Sequence, residues 1–154
     1  MKKNILLTAA ALLTTLAGAA QWQPAGDRIG TEWGEKLDPQ NVLPEYPRPQ
    51  MTRTQVQDGW QTLNGLWNYA ILPIGQTPDK FQGQILVPFA VESSLSGVGK
   101  RLGDRNELWY NRTFTISPKW NGKRVLLHFG AVDWKADVWV NGVCVGTHTG
   151  GFTP

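Results

Sequence analysis

Asp133 and Asp137 stand four positions apart and are the neighbouring carboxylates that suit acid and base work on one bond. On a single strand, four residues at about 3.3 Å rise set them ~13 Å apart. Hydrolysis by two carboxylates needs about 5.5 Å when one of them is the nucleophile, or about 6.5 to 9.5 Å when a water lies between. That spacing leaves Asp133 and Asp137 structural, and no catalytic residue is assigned. His148 falls near Lys135 across a hairpin derived below, where a structural hydrogen bond is expected rather than proton transfer. Asn111 offers a carboxamide that donates and accepts, so it suits a hydroxyl-bearing ligand or, as the ordinary outward residue of a half-buried strand, water. Arg112 falls on an apolar face, where a guanidinium needs carboxylates or carbonyls for its donors; Glu92 and Asp137 are the expected partners. Trp109, Trp134 and Trp139 are expected in a core rather than stacked on a ligand, and Cys144 as a small buried apolar residue. With one Cys and two His there is no metal cage and no internal disulfide, and no cofactor is expected.

Strands must position these residues. In Leu66-Trp67-Asn68-Tyr69-Ala70-Ile71-Leu72 the alternation puts Trp67, Tyr69 and Ile71 on one face, and Pro73 with Gly75 ends the run. Gln84-Ile85-Leu86-Val87 is a second short strand, and Ser93 to Arg105, rich in Gly and Ser, is a loop. A third strand, Leu108 to Ile116, carries Leu108, Tyr110, Phe114 and Ile116 on one side with Arg112 among them, and Trp109, Asn111, Thr113 and Thr115 on the other. Arg124 to Phe129 alternates again. Asn141-Gly142 between Ala136–Val140 and Val143–Gly146 is a hairpin turn, since both turn residues must tolerate positive φ. A two-residue turn pairs Val140 with Val143, Trp139 with Cys144 and Val138 with Val145, giving two apolar faces, as expected inside a sandwich of two sheets. Several short strands with no helical run predict an all-β chain, a β-sandwich of jelly-roll type. Its C-terminal part is expected to be incomplete, because Gly150 to Pro154 offers no closing strand.

Composition narrows the setting. The 154 residues include 8 Trp, 17 Gly and 10 Pro, a turn-rich and aromatic mixture that argues against a helical bundle. Residues 1–20 read as an export leader: Lys2 and Lys3, an apolar run from Ile5 to Leu16, then Ala17, Gly18, Ala19 and Ala20. Cleavage is expected after Ala19 or Ala20, delivering the protein to the periplasm or the exterior. The absence of Cys at that junction excludes a lipid anchor, and the apolar run is short for a membrane span. Losing two Lys leaves 13 basic against 12 acidic residues, so no basic stripe supports nucleic-acid binding. Residues 21–55 hold five of the ten prolines and are expected to run extended as a lead-in arm without an element of its own; residues 56–154 form the domain.

A family resemblance follows from motifs met in order. Trp60-Gln61-Thr62-Leu63-Asn64-Gly65-Leu66-Trp67, Val87-Pro88-Phe89-Ala90-Val91-Glu92-Ser93, Leu108-Trp109-Tyr110-Asn111-Arg112, His128-Phe129-Gly130-Ala131-Val132-Asp133-Trp134, Trp139-Val140-Asn141-Gly142 and Gly146-Thr147-His148-Thr149-Gly150-Gly151-Phe152-Thr153-Pro154 together resemble the N-terminal, sugar-binding domain of glycoside hydrolase family 2. That family includes β-galactosidases, β-glucuronidases and β-mannosidases. The resemblance implies a jelly roll that precedes an immunoglobulin-like domain and a TIM barrel, with the acid/base and nucleophile Glu in the barrel. It implies a β-glycoside or polysaccharide as the carbohydrate partner, with Asn111 falling where some members place a substrate-binding Asn. A companion Asp is implied shortly beyond Pro154. Under this reading Arg112, Asp133, Trp139, Asn141, Gly142 and His148 are structural. A free-standing carbohydrate-binding module is the alternative, and would need an exposed aromatic platform.

Overall fold

The computed structural model describes residues 22–26, 30–44 and 59–153. The expected leader, residues 1–20, and residues 45–55 at the end of the arm lie outside the described residues. Regular structure is almost wholly antiparallel strand, so the chain is all-β as expected. The described residues divide into two compact units, one ending at Phe114 and the other running from Thr115.

The first unit is built on β1 (Gly65–Pro73), β2 (Gly83–Val87) and β3 (Asn106–Asn111), in the order β2-β1-β3. Both pairings are antiparallel, with Trp67 opposite Ile85, Tyr69 opposite Tyr110 and Ile71 opposite Leu108. Directly paired residues share a face, so the stripe of Trp67, Tyr69 and Ile71 meets Ile85 and Leu108. Together with Val91, Val98 and Leu102 from the loop after β2 they make the core. Ile85 and Leu86 are fully buried, each contributing about 1.5–3 kcal/mol relative to exposure. The loop that covers this core is a loop as expected, with one turn of 3-10 helix at Ser94–Ser96 capped by the Ser93 side chain.

Two expectations fail in this unit. The lead-in arm does carry an element, the four-residue helix α1 (Glu32–Glu35), whose N-cap Thr31 hydroxyl accepts from the Gly34 N–H. Farther along, the Val42 side chain is buried and its carbonyl accepts from the Asn64 carboxamide. Local capping and a few apolar contacts thus override the proline content. The third strand is also shorter than expected. Asn111 is its last residue: the β1–β3 ladder ends at Asn68, although Gly65, Leu66 and Trp67 continue to pair with β2 on the other edge of β1. With no ladder to join, Phe114 and Ile116 lie outside any strand and are exposed.

The second unit contains β4 (Lys135–Val140) and β5 (Val143–Thr149), joined by the expected turn with Asn141 at φ 50° and Gly142 at φ 79°. Val140 pairs with Val143 and Trp139 with Cys144, but the register then shifts. Val138 pairs with Gly146 rather than Val145, and His148 faces Ala136 while Lys135 faces Thr149. The extra residue is a bulge, which alternation cannot reveal because it moves only one strand. The expected burial of the hairpin also fails: Trp139 is 54% exposed, Val143 and Val145 are more exposed still, and Cys144 is an exposed thiol. Arg124–Phe129 is not a strand either. Val125, Leu127 and Phe129 are exposed, and an alternating run makes a strand only where a neighbour accepts its hydrogen bonds.

Ile85→Ala is expected to destabilise the chain by about 2–4 kcal/mol, since it opens a cavity at the centre of β2. Leu126→Ala, at a site that is 59% exposed, is expected to change stability by no more than about 0.5 kcal/mol, and urea unfolding of the two variants checks the contrast. A second test uses pH. The Tyr110 phenol is held above its ordinary 10.0, first by burial and then by the Glu92 carboxylate, although 40% of the residue remains in solvent. The folded state therefore keeps this proton longer than the unfolded state. The associated stability is complete below pH 10 and is lost as pH rises through the higher folded-state value. Denaturant midpoints measured above about pH 10 should fall with pH, and Tyr110→Phe should make that fall shallower.

Candidate functional site

Asn111 sits at the end of β3 and is exposed. Its carboxamide oxygen accepts from Asn68 Nδ2 at 3.4 Å, and Asn68 is also the partner of Gln84 on β2. Gln84, Asn68 and Asn111 thus form one row across three strands, on the face opposite the core. Neighbouring strands lie about 4.8 Å apart, so the row presents successive carboxamide donors and acceptors along one line across the sheet. Sequence reasoning singled out Asn111 and missed Asn68 and Gln84. The signal that would have found them is strand register, which is absent from any one strand read alone. Trp109 occupies the same face two residues before Asn111, and its indole N–H donates to the Glu107 carboxylate at 3.2 Å. The row is neutral: it offers carboxamide donors and acceptors and no proton donor of acidic character.

Arg112 fixes the position of this row. Its Nη1 donates to the carbonyls of Leu63 at 2.6 Å and Asn64 at 2.9 Å. The guanidinium carbon lies 6.0 Å from the Trp67 ring centre, within reach of a cation–π contact. Trp67 meets Tyr110 edge to face at 6.4 Å and sends its own N–H to Leu63 O at 2.7 Å. The approach is close: a Cβ placed at Gly65 would stand 3.2 Å from Arg112 Nη1. Main-chain carbonyls, rather than the expected carboxylates of Glu92 or Asp137, therefore take up these donors. Glu92 accepts from the Leu102 N–H at 3.4 Å, and Asp137 accepts from the Thr147 hydroxyl at 2.6 Å across the second hairpin.

In the second unit, Asp133 lies before β4 begins, so the two aspartates do not share a strand as the spacing argument supposed. A Cβ at Gly151 would come within 2.5 Å of Asp133 Oδ1; the carboxylate is packed against the bare backbone there. Gly150 N–H donates to Trp134 O at 2.7 Å, and His148 Nε2 is 3.2 Å from the Thr153 hydroxyl. These contacts fold the segment after β5 back beside the start of β4. Trp134 is 67% exposed, contrary to the core position expected for it, as Trp139 is. An open depression of about 420 Å³ between Ile116 and Lys123 is lined by no acidic side chain. Among the described residues no group of His, Cys, Asp and Glu could hold a metal ion, and no helix is long and apolar enough to cross a membrane.

Comparison with known proteins gives this arrangement a family. Residues 96–154 match the model of the glycosyl hydrolase 2 galactose-binding domain-like family. A β-glucuronidase of Paenibacillus borealis is 32% identical over 116 residues, covering 71% of this chain and 19% of its own length. A β-glucuronidase of Felis catus is 32% identical over 126 residues, with 71% and 18% covered. A β-galactosidase of Thermoanaerobacter pseudethanolicus is 46% identical over 46 residues, 30% of this chain and 6% of the relative. The chain thus spans about a fifth of the length of the β-glucuronidases it matches. The order of motifs, the all-β architecture and these matches lead to one conclusion: over residues 96–154 the chain belongs to the galactose-binding-like N-terminal domain family of glycoside hydrolase family 2.

Proposed function

We propose that the chain is the sugar-binding and scaffolding N-terminal part of an exported glycoside hydrolase family 2 enzyme acting on β-glycosides, with the catalytic carboxylates supplied by a barrel domain of the same enzyme. The observation that carries this reading is the match of one domain to relatives named as β-glucuronidases and as a β-galactosidase. Support comes from the site itself. Its carboxamide row can hold hydroxyls by neutral hydrogen bonds, while cleavage of a glycoside needs an acid and a second carboxylate set across one bond. Asp137 accepts from the Thr147 hydroxyl and Asp133 lies outside β4, which supports a structural role for both. In this role the domain buttresses the barrel and lends Asn111 to the edge of the sugar pocket.

The test compares residues 21–154 with a polypeptide that carries these residues together with the barrel. The 21–154 chain alone should give no turnover of nitrophenyl β-glucuronide or β-galactoside. Its affinity for the free monosaccharides should be no better than about millimolar, about 4 kcal/mol, by calorimetry. Asn111→Ala should raise KM of the barrel-containing enzyme with little change in kcat. Turnover by residues 21–154 that disappears in Asp133→Ala or Asp137→Ala would make the sheets themselves the catalyst. Micromolar binding by the same piece would favour a free-standing binding module.

Export is the other part of the proposal and rests on the three-part layout of residues 1–20. Protein recovered from the periplasm or the medium should begin at Ala20 or Gln21 on N-terminal sequencing; recovery of a chain beginning at Met1 would exclude export by this leader.

A further inference from the structure

Residues 22–26 and the Ser93–Gly99 loop are joined by a set of contacts that the sugar-binding role does not use. Ala25 N–H donates to Ser94 O at 2.8 Å, and the Ser94 hydroxyl returns a 2.8 Å bond to Ala25 O. Two glycines form the sockets for the segment. A Cβ at Gly97 would stand 2.7 Å from Trp22 Nε1, and one at Gly99 would stand 2.9 Å from the Ala25 Cβ, separations that real side chains do not tolerate. Beneath the segment, the fully buried Ser96 hydroxyl donates to Ser93 O at 2.7 Å and accepts from the Val98 N–H at 3.0 Å and the Gly99 N–H at 3.3 Å. The same loop delivers Val91, Val98 and Leu102 to the core.

From this geometry we propose that residues 22–26 are a reversible clasp that closes the Val91–Leu102 loop over the core of the three-stranded sheet. Closure gains two hydrogen bonds and the partial burial of an indole. Opposing them, Trp22 Nε1 is buried with no hydrogen-bond partner among the described residues, and a buried donor left without a partner is penalised. That penalty offsets part of the gain, and the clasp opens without the sheet unfolding, a local event of the kind that low-stability segments undergo. Order in the loop thereby depends on a segment nearly seventy positions earlier in the chain. After the leader cleavage proposed above, removal of residues 22–26 by an aminopeptidase would unlock it.

Hydrogen exchange of the whole chain, read by mass spectrometry on peptides across residues 91–102 and across β1 and β2, tests the clasp. Trp22→Ala should accelerate exchange of the Ser96, Val98, Gly99 and Lys100 amides severalfold, the lost packing of the indole against Gly97 outweighing the relieved N–H penalty, and leave β1 and β2 at the wild-type rate. Ser94→Ala, which removes one hydroxyl, should accelerate the same amides by a smaller factor and decides the question if Trp22→Ala does not fold. Loop amides that exchange at the wild-type rate would overturn the proposal. So would an equal acceleration in β1 and β2, which would mean that the segment stabilises the fold as a whole rather than the loop.

Discussion

The hydrogen bonds from Arg112 to the carbonyls of Leu63 and Asn64 govern how the first sheet is assembled. Those carbonyls precede β1 and take no part in its ladders, so they need a donor from elsewhere. A guanidinium supplies one that keeps its charge at every relevant pH, and charge-assisted bonds of this kind contribute about 1.5–3 kcal/mol each. The bonds tie the residue after β3 to the residues before β1, and they set the point at which the β1–β3 ladder stops. Trp67 serves both sides of the arrangement: its face lies under the cation and its N–H shares Leu63 O with it.

Because Asn111 directly precedes Arg112, the anchor also sets the polar row. Asn111 is held opposite Asn68, and Asn68 opposite Gln84, by a ladder whose end cannot slip without breaking the guanidinium contacts. A one-residue slip would exchange the two faces of β3, bringing Asn111 toward the core and Leu108 toward water. The charged residue on the apolar side thus protects the register that sets Gln84, Asn68 and Asn111 side by side on the opposite face.

The two units hold their apolar residues in different ways. In the first, a loop closes over the strands, and Ile85, Tyr69 and Val91 are buried. In the second, the β4–β5 hairpin with its bulge leaves Trp139, Val143 and Val145 exposed. The contacts among Asp133, Gly151, His148 and Thr153 shape the segment after β5.

The strand positions of β1, β2 and the β4–β5 hairpin were legible in the sequence because each depends on local information. Period-two alternation selects a face, Pro73 and Gly75 stop a strand, and Asn141-Gly142 admits the positive φ that the turn needs. The same local information showed that Arg112 required oxygen acceptors and that Asn111 faced away from the core. Only the tertiary structure decided which oxygens those were, since the carbonyls of Leu63 and Asn64 lie almost fifty positions earlier and carry no side-chain signal. It likewise decided where β3 ends, that Arg124–Phe129 does not pair, that Val145 is the bulged residue, and that Asn68 and Gln84 stand beside Asn111. Each of these outcomes is a property of a pair of strands: alternation tells a residue which side to face, but only a neighbouring ladder tells it whether, and with whom, it is paired.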